Sequence, residues 1–262
     1  SLETYLDRIL DRHRAEADKD NRIFSELFER AARSPLPRGF LKSLQTDGLS
    51  VIAEVKRKSP SKGSLAIDLD PSELAKKYEI GGAACVSVLT DTESFGGSPR
   101  DLQTVRESVA LPVLRKDFTV HEFDILDARI MGADAVLLIA AALVDEELKR
   151  FHDLAKELEL DVLVEVHDEI ELERALSVGS DLVGVNQRDL FTFEVDHERA
   201  LRMGDLIAGS VTSVAESGVR DVADAATLAQ AGFDAVLVGE ILVTSEAPDV
   251  LVRAMTEVDL CL

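Results

Sequence analysis

Glutamate and lysine side chains lie at the ends of apolar segments along this chain of 262 residues. The first such segment, 51–64, reads VIAEVKRKSPSKGS; its apolar run ends at Ser59-Pro60, which predicts a buried strand followed by a loop. Glu54 and Lys56 lie two residues apart, so their side chains point to the same face of a strand. A carboxylate beside an ammonium group suits general acid–base chemistry, because each can tune the pKa of the other.

The same segment is a basic island in an acidic chain. Its four basic residues outnumber Glu54, so its local charge is about +3, whereas the whole chain has a formal charge of −21. Serine hydroxyls, ammonium groups and Gly63 lie together here, which suits an anionic ligand. The acidic chain would repel a phosphate backbone, which argues against nucleic acid and anionic membranes as partners. A small anionic substrate would depend on this local patch.

Polar residues also follow five later apolar segments. They are, in chain order, Arg115-Lys116-Asp117, Glu165 with His167, Asn186 with Arg188, Glu216-Ser217-Gly218 and Gly239-Glu240. If these segments are the strands of a parallel barrel, their carboxyl ends meet at one mouth, where barrel enzymes perform their chemistry. Lysines and glutamates around one mouth again indicate acid–base chemistry.

Two of these pairs predict where an anion binds. Ser217-Gly218 and Gly239-Glu240, here named the phosphate cradle, match the site where such barrels hold phosphate with backbone N–H groups and a short helix. Other candidates keep structural alternatives. Glu165 could be a buried ion-pair partner of Lys116, and Asn186 could only cap the loop after its strand.

The elements that must position these residues alternate between apolar, β-branched runs and amphipathic stretches. Strands are predicted at 50–55, 84–89, 112–116, 134–139, 161–166, 181–186, 211–215 and 234–239. Helices are predicted at 71–80, 98–109, 120–131, 145–159, 168–178, 196–203, 220–231 and 246–258. Such a pattern predicts the α/β class and a closed (β/α)8 TIM barrel, because near-continuous apolar strands indicate a covered parallel sheet. A doubly wound open sheet is the alternative, but no Gly-x-Gly-x-x-Gly follows a strand.

Residues 1–48 precede the first strand and are predicted to form an N-terminal helical extension. Apolar residues recur at three- and four-residue intervals over 2–33, which indicates one helix or two, and Pro35 and Pro37 end the pattern. No linker or low-complexity segment divides the chain, so 1–262 are expected to form a single barrel domain that includes this extension.

The spacing of cysteine and histidine indicates neither a disulfide framework nor a metal site. Cys85 lies in an apolar run and is expected to be a small core residue, while Cys261 lies near the C-terminus. His13 lies on the apolar stripe of the extension and is predicted to be a packed histidine. His167, just before a helix start at Asp168, is assigned no catalytic role.

Several cellular properties are also expected from the sequence. The longest apolar run, 135–144, is too short to span a bilayer, and the charged start does not resemble a signal peptide. We therefore expect a cytoplasmic protein with no membrane or nucleic-acid partner. For the oligomeric state we expect a monomer, with a weak dimer as the alternative.

With these residues placed, the chain resembles the indole-3-glycerol-phosphate synthase family over essentially its whole length. The resemblance includes the extension and the segments IAEVKRKSPSKG, SVLTDTESFGGS, LPVLRKDF, DAVLLIAAAL, LVEVHDE, VGVNQRDLFTFEVD, VAESGV and DAVLVGE. It implies a carbon–carbon lyase, specifically a carboxy-lyase, of tryptophan biosynthesis. The implied substrate is 1-(2-carboxyphenylamino)-1-deoxyribulose 5-phosphate, whose indole ring closes with loss of carbon dioxide and water. The resemblance implies no cofactor and no metal.

The resemblance also implies catalytic roles. Lys116 matches the general acid that protonates the ribulose carbonyl, and Glu165 matches the general base of the dehydration step. Glu54 matches an acid that assists and orients, while Lys56 matches a lysine that meets the substrate anion. Asn186 falls on a position that hydrogen-bonds a sugar hydroxyl.

The remaining candidates match positions that bind substrate. Arg188 falls near the anthranilate carboxylate. Those expected around the aryl ring are Pro60, Phe95, Phe118 and Leu190, and those expected at the phosphate and its loops are Ser59, Glu216, Ser217, Gly218, Gly239 and Glu240, with Ser217 also counted as catalytic. One departure lies at Glu240, where the resemblance leads us to expect a small Ser or Thr.

Two other functions were weighed against this one. A phosphoribosylanthranilate isomerase would use a Cys base after strand one and an Asp acid near strand six, where this chain has Glu54, Lys56 and Asn186. A non-catalytic, phosphate-binding barrel should have lost part of the set Lys116, Glu165 and Glu54, and all three are present.

Overall fold

Eight parallel strands form a closed barrel in the computed structural model, which describes residues 3–258. The strands are β1 (Ser50–Val55), β2 (Cys85–Leu89), β3 (Val113–Lys116), β4 (Ala135–Ile139), β5 (Asp161–Val166), β6 (Leu182–Asn186), β7 (Thr212–Glu216) and β8 (Ala235–Val238). Each strand pairs with its neighbours in chain order, and β1 closes the ring by pairing with β8 through Ser50 and Ala235. The prediction of a (β/α)8 barrel is therefore confirmed, and each predicted strand overlaps an observed one.

Helices surround the barrel and also precede it. They are α1 (Tyr5–Asp18), α2 (Phe24–Arg33), α3 (Phe40–Leu44), α4 (Pro71–Gly81), α5 (Thr92–Phe95), α6 (Pro99–Ser108), α7 (Glu122–Met131), α8 (Asp145–Glu157), α9 (Glu169–Ser177), α10 (Arg199–Gly204), α11 (Val222–Gln230), α12 (Glu240–Val243) and α13 (Pro248–Thr256). The sequence analysis did not anticipate α3, α5 or a short antiparallel pairing of Lys58–Ser59 with Gly63–Ser64. Among the described residues, no helix has the length and apolarity needed to cross a membrane.

Alternation along the strands separates an outer from an inner core. On β1, for example, Val51 and Ala53 pack in the outer core against the helices, whereas Ile52 belongs to the inner core. Since the side-chain period of a strand is two, the next inward position after Ile52 is Glu54. The same rule makes Lys116 follow Leu114 and Glu165 follow Leu163 on the inward face. On β1, β3, β5 and β7, inward apolar residues therefore give way to charged ones toward the carboxyl end, whereas β4 keeps Ile139 in the inner core.

The N-terminal extension contacts both ends of the barrel. At the amino-terminal end, Phe40 and Leu44 of α3 pack into the inner core and are 0% and 1% exposed. The backbone N–H groups of Arg38 and Leu41 donate to Asp134 (2.7 Å) and Asp161 (2.9 Å), which fixes α3 under the strands. At the other end, apolar residues of α1 line the mouth of the barrel. Leu2 and Cys261, which the sequence analysis discussed, lie outside the described residues.

Candidate active site

A cavity of about 600 Å³ lies at the carboxyl ends of the strands. Its wall includes all sixteen residues that the sequence analysis proposed for catalysis or substrate binding: Glu54, Lys56, Ser59, Pro60, Phe95, Lys116, Phe118, Glu165, Asn186, Arg188, Leu190, Glu216, Ser217, Gly218, Gly239 and Glu240. Its volume lies in the range of pockets that bind small molecules. The strand ends therefore bring residues that are distant in sequence to one place.

Glu54 lies at the centre of a charged cluster in this cavity. Its Oε2 accepts from Lys116 Nζ at 3.1 Å and from Ser87 Oγ at 2.8 Å, and its Oε1 lies 3.5 Å from Lys56 Nζ. Burial alone would raise the pKa of Glu54, but the charges of Lys116 and Lys56 and the hydrogen bond from Ser87 lower it below its ordinary value. Glu54 is therefore a carboxylate at neutral pH. Ser87, on β2, was not anticipated.

Lys116 is held as an ammonium ion. Burial alone would lower its pKa, but the charges of Glu54, Glu216 and Glu165 raise it above the ordinary value for lysine. Its ion pair within 4 Å is formed with Glu54 rather than with Glu165. The alternative in which Glu165 serves only as a structural partner of Lys116 therefore loses its support. The protonated form is the one that a general acid needs before reaction.

Two buried carboxyl groups, those of Glu165 and Glu216, face the same cavity and lie next to each other. Glu165 and Glu216 are only 2% and 1% exposed, and neither Glu165 Oε2 nor either carboxyl oxygen of Glu216 has a partner among residues 3–258. Burial, the charge of Glu165 and the hydrogen bond that a proton forms between the two carboxyl groups raise the pKa of Glu216 well above its ordinary value, although the charge of Lys116 opposes them. Unpartnered buried polar groups cost free energy, and they occur where a ligand completes the site.

A glycine on β6 makes room for Glu216. A Cβ atom added at Gly184 would lie 2.3 Å from Glu216 Oε2 and 3.2 Å from Leu163 Cδ1. Any larger residue at this inward position would therefore push the Glu216 carboxyl group out of its place. β6 pairs with β7 through Asn186 and Glu216, so these two proposed site residues are neighbours at the ends of their strands.

Residues after β6 and β7 form a bonded polar corner. Ser217 Oγ donates to Asn186 Oδ1 at 2.8 Å, and the backbone N–H of Arg188 donates to the same oxygen at 2.9 Å. Ser217 has a φ of 65°, a left-handed conformation that costs a non-glycine residue roughly 1–3 kcal/mol. Gly218 follows with a φ of 78°, and a Cβ there would lie 2.6 Å from Val195 Cγ1. Both residues therefore form a tight turn at the edge of the cavity.

Arg188 and Glu240 contact each other across the phosphate cradle. Arg188 Nη2 lies 3.4 Å from Glu240 Oε1, and its Nη1 donates to the carbonyl of Phe193 at 2.8 Å. The resemblance placed Arg188 beside a substrate carboxylate, and here its guanidinium is paired with a protein carboxylate. Both side chains are partly exposed, so the pair is worth little and can be exchanged for a ligand anion.

Aromatic and aliphatic side chains form the opposite wall of the cavity. The rings of Phe95 and Phe118 lie 6.3 Å apart, centroid to centroid, beside Leu190. Sequence analysis missed the contribution of the extension: Tyr5 and Ile9 of α1 also line the cavity. The apolar stripe on α1 was visible in the sequence, but such a stripe does not indicate which surface it covers. This wall suits a flat apolar group.

The contacts that hold α1 over the mouth involve a histidine. His13 Nε2 lies 3.0 Å from Asp91 Oδ1 and 3.6 Å from Asp117 Oδ1, and its ring packs on Phe118 at 5.4 Å. His13 is thus packed, as predicted, and also ion-paired. One histidine and two aspartates are residue types that bind metal ions, but Arg12 at 2.9 Å from Asp91 already balances charge in this cluster.

The fold and the cavity define a class of protein: a (β/α)8-barrel enzyme whose cavity at the strand ends gathers lysine and glutamate side chains. Comparison with known proteins gives the family. The family model described as "Indole-3-glycerol phosphate synthase" matches residues 6–255. The chain therefore belongs to the indole-3-glycerol phosphate synthase family, whose members are carboxy-lyases of tryptophan biosynthesis.

Curated relatives with that name match most of the chain. A protein from Nocardioides sp. is 51% identical over 223 residues, which cover 85% of this chain and 86% of its own. One from Mycolicibacterium vanbaalenii is 48% identical over 247 residues, or 94% and 91% of the two chains. Another, "Indole-3-glycerol phosphate synthase 1" from Streptomyces coelicolor, is 49% identical over 245 residues, or 93% and 91%.

Two solved structures that resemble the chain share its fold at low sequence identity. A 3-hexulose-6-phosphate synthase has a TM-score of 0.64 at 16% identity and covers 80% of this chain and 99% of its own. A thiamine phosphate pyrophosphorylase from Pyrococcus furiosus has a TM-score of 0.61 at 15% identity, covering 80% and 95%. At such identities the likeness concerns the fold alone.

Proposed function

We propose that this protein is an indole-3-glycerol-phosphate synthase in which Lys116 is the general acid and Glu165 the general base. Its substrate would be 1-(2-carboxyphenylamino)-1-deoxyribulose 5-phosphate, and its products indole-3-glycerol phosphate, carbon dioxide and water. One observation carries the proposal: the ammonium group of Lys116 and the unpartnered carboxylate of Glu165 face the same cavity.

The first proposed step is ring closure. The aryl carbon that bears the carboxylate attacks the ribulose carbonyl carbon, while Lys116 gives a proton to the carbonyl oxygen, which becomes a hydroxyl group. A protonated carbonyl is the better electrophile for a weakly nucleophilic aromatic ring. Glu54, 3.1 Å from Lys116 Nζ, holds the ammonium group in place and keeps it charged until the substrate arrives. Loss of carbon dioxide then restores electrons to the ring.

The second proposed step is dehydration. The hydroxyl group formed in the first step leaves as water with a proton from an acid, and Glu165 removes a proton from the adjacent carbon so that the double bond of the indole forms. Glu165 suits this work because its carboxyl group lines the cavity near the end of β5. The raised pKa of Glu216 favours its neutral form, which can donate a hydrogen bond to the substrate, as Asn186 can to a sugar hydroxyl.

The two ends of the substrate have separate places in the cavity. The phosphate cradle, with the left-handed residues Ser217 and Gly218, suits the phosphate group, and Ser59 and Lys56 lie on the same cavity wall. The wall that contains Phe95 and Phe118 suits the aryl ring. Such a substrate has two anionic groups, a phosphate and a carboxylate, which explains why a chain of net charge −21 keeps basic residues at this mouth.

A fluorescence assay tests the proposed function. Purified protein is mixed with the carboxyphenylamino substrate, and indole fluorescence is followed in time. We expect product without added metal or cofactor, in the presence of a chelator. Isomerisation of phosphoribosylanthranilate in place of indole formation would favour the isomerase alternative, and binding of substrate without turnover would favour a non-catalytic barrel.

A further inference from the structure

A second titratable side chain lies directly behind Glu165. His167 follows the end of β5 and precedes the N-cap of α9, where Asp168 accepts from the backbone N–H of Glu171 at 2.8 Å. Its side chain is 11% exposed and is not part of the cavity wall, whereas Glu165 is. Sequence reasoning gave His167, which lies just before the helix start at Asp168, no catalytic role.

The hydrogen bonds of Glu171 fix which ring nitrogen of His167 carries a proton. Glu171 Oε1 accepts from the backbone N–H of His167 at 3.0 Å and lies 3.0 Å from His167 Nδ1. A carboxylate only accepts, so Nδ1 must be the donor in this contact. The other nitrogen, Nε2, is thereby aimed toward Glu165 and is either a bare lone pair or a second N–H group.

The opposite side of the ring faces the proposed general base. His167 Nε2 lies 3.8 Å from Glu165 Oε2, and both atoms are buried without a hydrogen-bond partner in the described part of the chain. This separation is about 1 Å longer than a charge-assisted hydrogen bond, and such contacts tighten when a ligand binds. A neutral ring would place a lone pair against a carboxylate oxygen, which is repulsive. An imidazolium ion between Glu165 and Glu171 is attracted to both.

The charges around His167 favour the imidazolium form. Burial alone would lower its pKa, but the hydrogen bond to Glu171 and the charge of Glu165 outweigh burial and raise the pKa above its ordinary value. Arg199 of α10 opposes them from the other side, and Asp189 in the loop after β6 adds a further negative charge nearby. The net environment of the ring is anionic.

We propose that His167 is a positioning residue for Glu165. As an imidazolium ion anchored by Glu171, it directs Nε2–H at Glu165 Oε2, attracts that carboxylate oxygen, and so orients the other oxygen of Glu165 toward the substrate. The catalytic consequence rests on the proposed role of Glu165 as general base. The electrostatic link between His167 and Glu165 does not depend on that role.

Kinetics over a range of pH test the catalytic consequence. The variant His167→Gln removes the cation and keeps a side chain of similar length, so the carboxylate form of Glu165 loses the positive charge that lies 3.8 Å away. We expect the acid limb of the kcat profile to move up by about one pH unit, so kcat falls about tenfold on the acid side while KM changes little. The variant Glu171→Gln, which weakens the charge on the ring, should move the limb in the same direction by less.

A matched variant controls for general damage from replacing a buried histidine. His152 on α8 is 5% exposed and lies outside the cavity wall, so His152→Gln makes the same chemical change at a similar depth. Its acid limb should stay at the wild-type position. A limb that shifts equally in both variants would overturn the proposed positioning role.

Titration of His167 by ¹⁵N NMR tests the link without any turnover. In the wild-type protein both ring nitrogens should be protonated at neutral pH, and in Glu165→Gln the pKa of His167 should fall by about one unit, because coupling between two sites is reciprocal. An unchanged titration would overturn the proposal. A coupled titration with an unmoved acid limb in His167→Gln would support the link and overturn the base role of Glu165.

Discussion

Buried carboxyl groups have different surroundings at the two ends of the barrel. At the amino-terminal end, Asp134 is 0% exposed and accepts from the backbone N–H groups of Arg38 and Val113, each at 2.7 Å, and from Arg106 Nη1 at 2.6 Å. At the carboxyl end, Glu165 and Glu216 are equally buried and leave three oxygens without partners among the described residues. Burying a carboxylate costs free energy at both ends, but only at the amino-terminal end do protein hydrogen bonds and an ion pair offset that cost.

This difference indicates that carboxylates at the starts of the strands stabilise the fold, whereas those at the strand ends are available to a ligand. Satisfied carboxylates at the strand starts hold elements together, since Asp134 alone joins β3, α6 and the segment before α3. Unsatisfied carboxyl groups at the strand ends are free to bind or move protons, which is the usual division of labour in such barrels. Variants at the two ends should therefore fail in different measurements.

Replacement of Lys116 by alanine should have the largest effect of all. In Lys116→Ala the proposed general acid is lost, and kcat should fall about a thousandfold or more. Glu54 keeps Lys56 and Ser87 as partners, so the free energy of unfolding and the binding of inorganic phosphate should change little. Indole fluorescence, urea unfolding and phosphate titration measure the three quantities. Near-normal turnover in this variant would refute the assigned role.

Replacement of Asp134 by alanine should reverse that pattern. Asp134→Ala leaves the Arg106 guanidinium and two backbone N–H groups without their acceptor, so the free energy of unfolding should fall by about 3–5 kcal/mol. At low temperature, where the variant is still folded, its kcat should stay close to that of the wild type. Asp153→Ala is the control, because its carboxylate pairs with Lys149 on the exposed face of α8 and should matter by less than about 1 kcal/mol. Loss of activity without loss of stability would contradict the comparison.

The contact between α1 and the mouth should give a pH dependence of its own. Burial and Arg12 lower the pKa of His13, but the hydrogen bond to Asp91 and the charges of Asp117 and Asp91 raise it overall above its ordinary value of 6.5. The contribution of His13 to stability is thus complete below pH 6.5 and is lost as pH rises through the folded-state pKa. His13→Asn should lower the free energy of unfolding by about 2 kcal/mol at pH 6 and by less at pH 8. Parallel stability curves for the two proteins would contradict this.

The smallest effect is expected at the edge of the phosphate cradle. Glu240→Ser removes a negative charge there and frees Arg188, so KM for substrate should stay the same or fall by at most about fivefold, since the pair is worth no more than about 1 kcal/mol. The expected kcat is unchanged. A sharp rise in KM would show that the Glu240 carboxylate itself contributes to binding.

Much of this organisation could be predicted from the sequence because barrel geometry is local and periodic. The apolar strand runs and their period of two placed Glu54, Lys116 and Glu165 on inward positions at one end, and the structure brings them to one cavity. Helix starts at Asp70 and Asp168 were also recognisable, since each side chain accepts backbone N–H bonds there.

Other features depend on contacts that no local pattern specifies. The extension was predicted to be helical, but its apolar residues did not indicate that α3 closes one end of the barrel and α1 lines the other. The contacts of Arg188 with Glu240 and of His167 with Glu165 depend on how loops from different strands turn. Such contacts form only when the barrel is closed, so a local sequence pattern does not predict them.

The place of α3 has a consequence for how the chain is made. Phe40 and Leu44 are synthesised early, but their inner-core partners lie on strands that come later, and the acceptor of the Leu41 amide, Asp161, follows 120 residues afterwards. At ordinary ribosomal speeds, synthesis of these residues takes roughly ten seconds, and during that time the two large apolar side chains have no complete inner core to pack against. A nascent chain arrested before β5 should therefore be a better client for chaperones than one released whole.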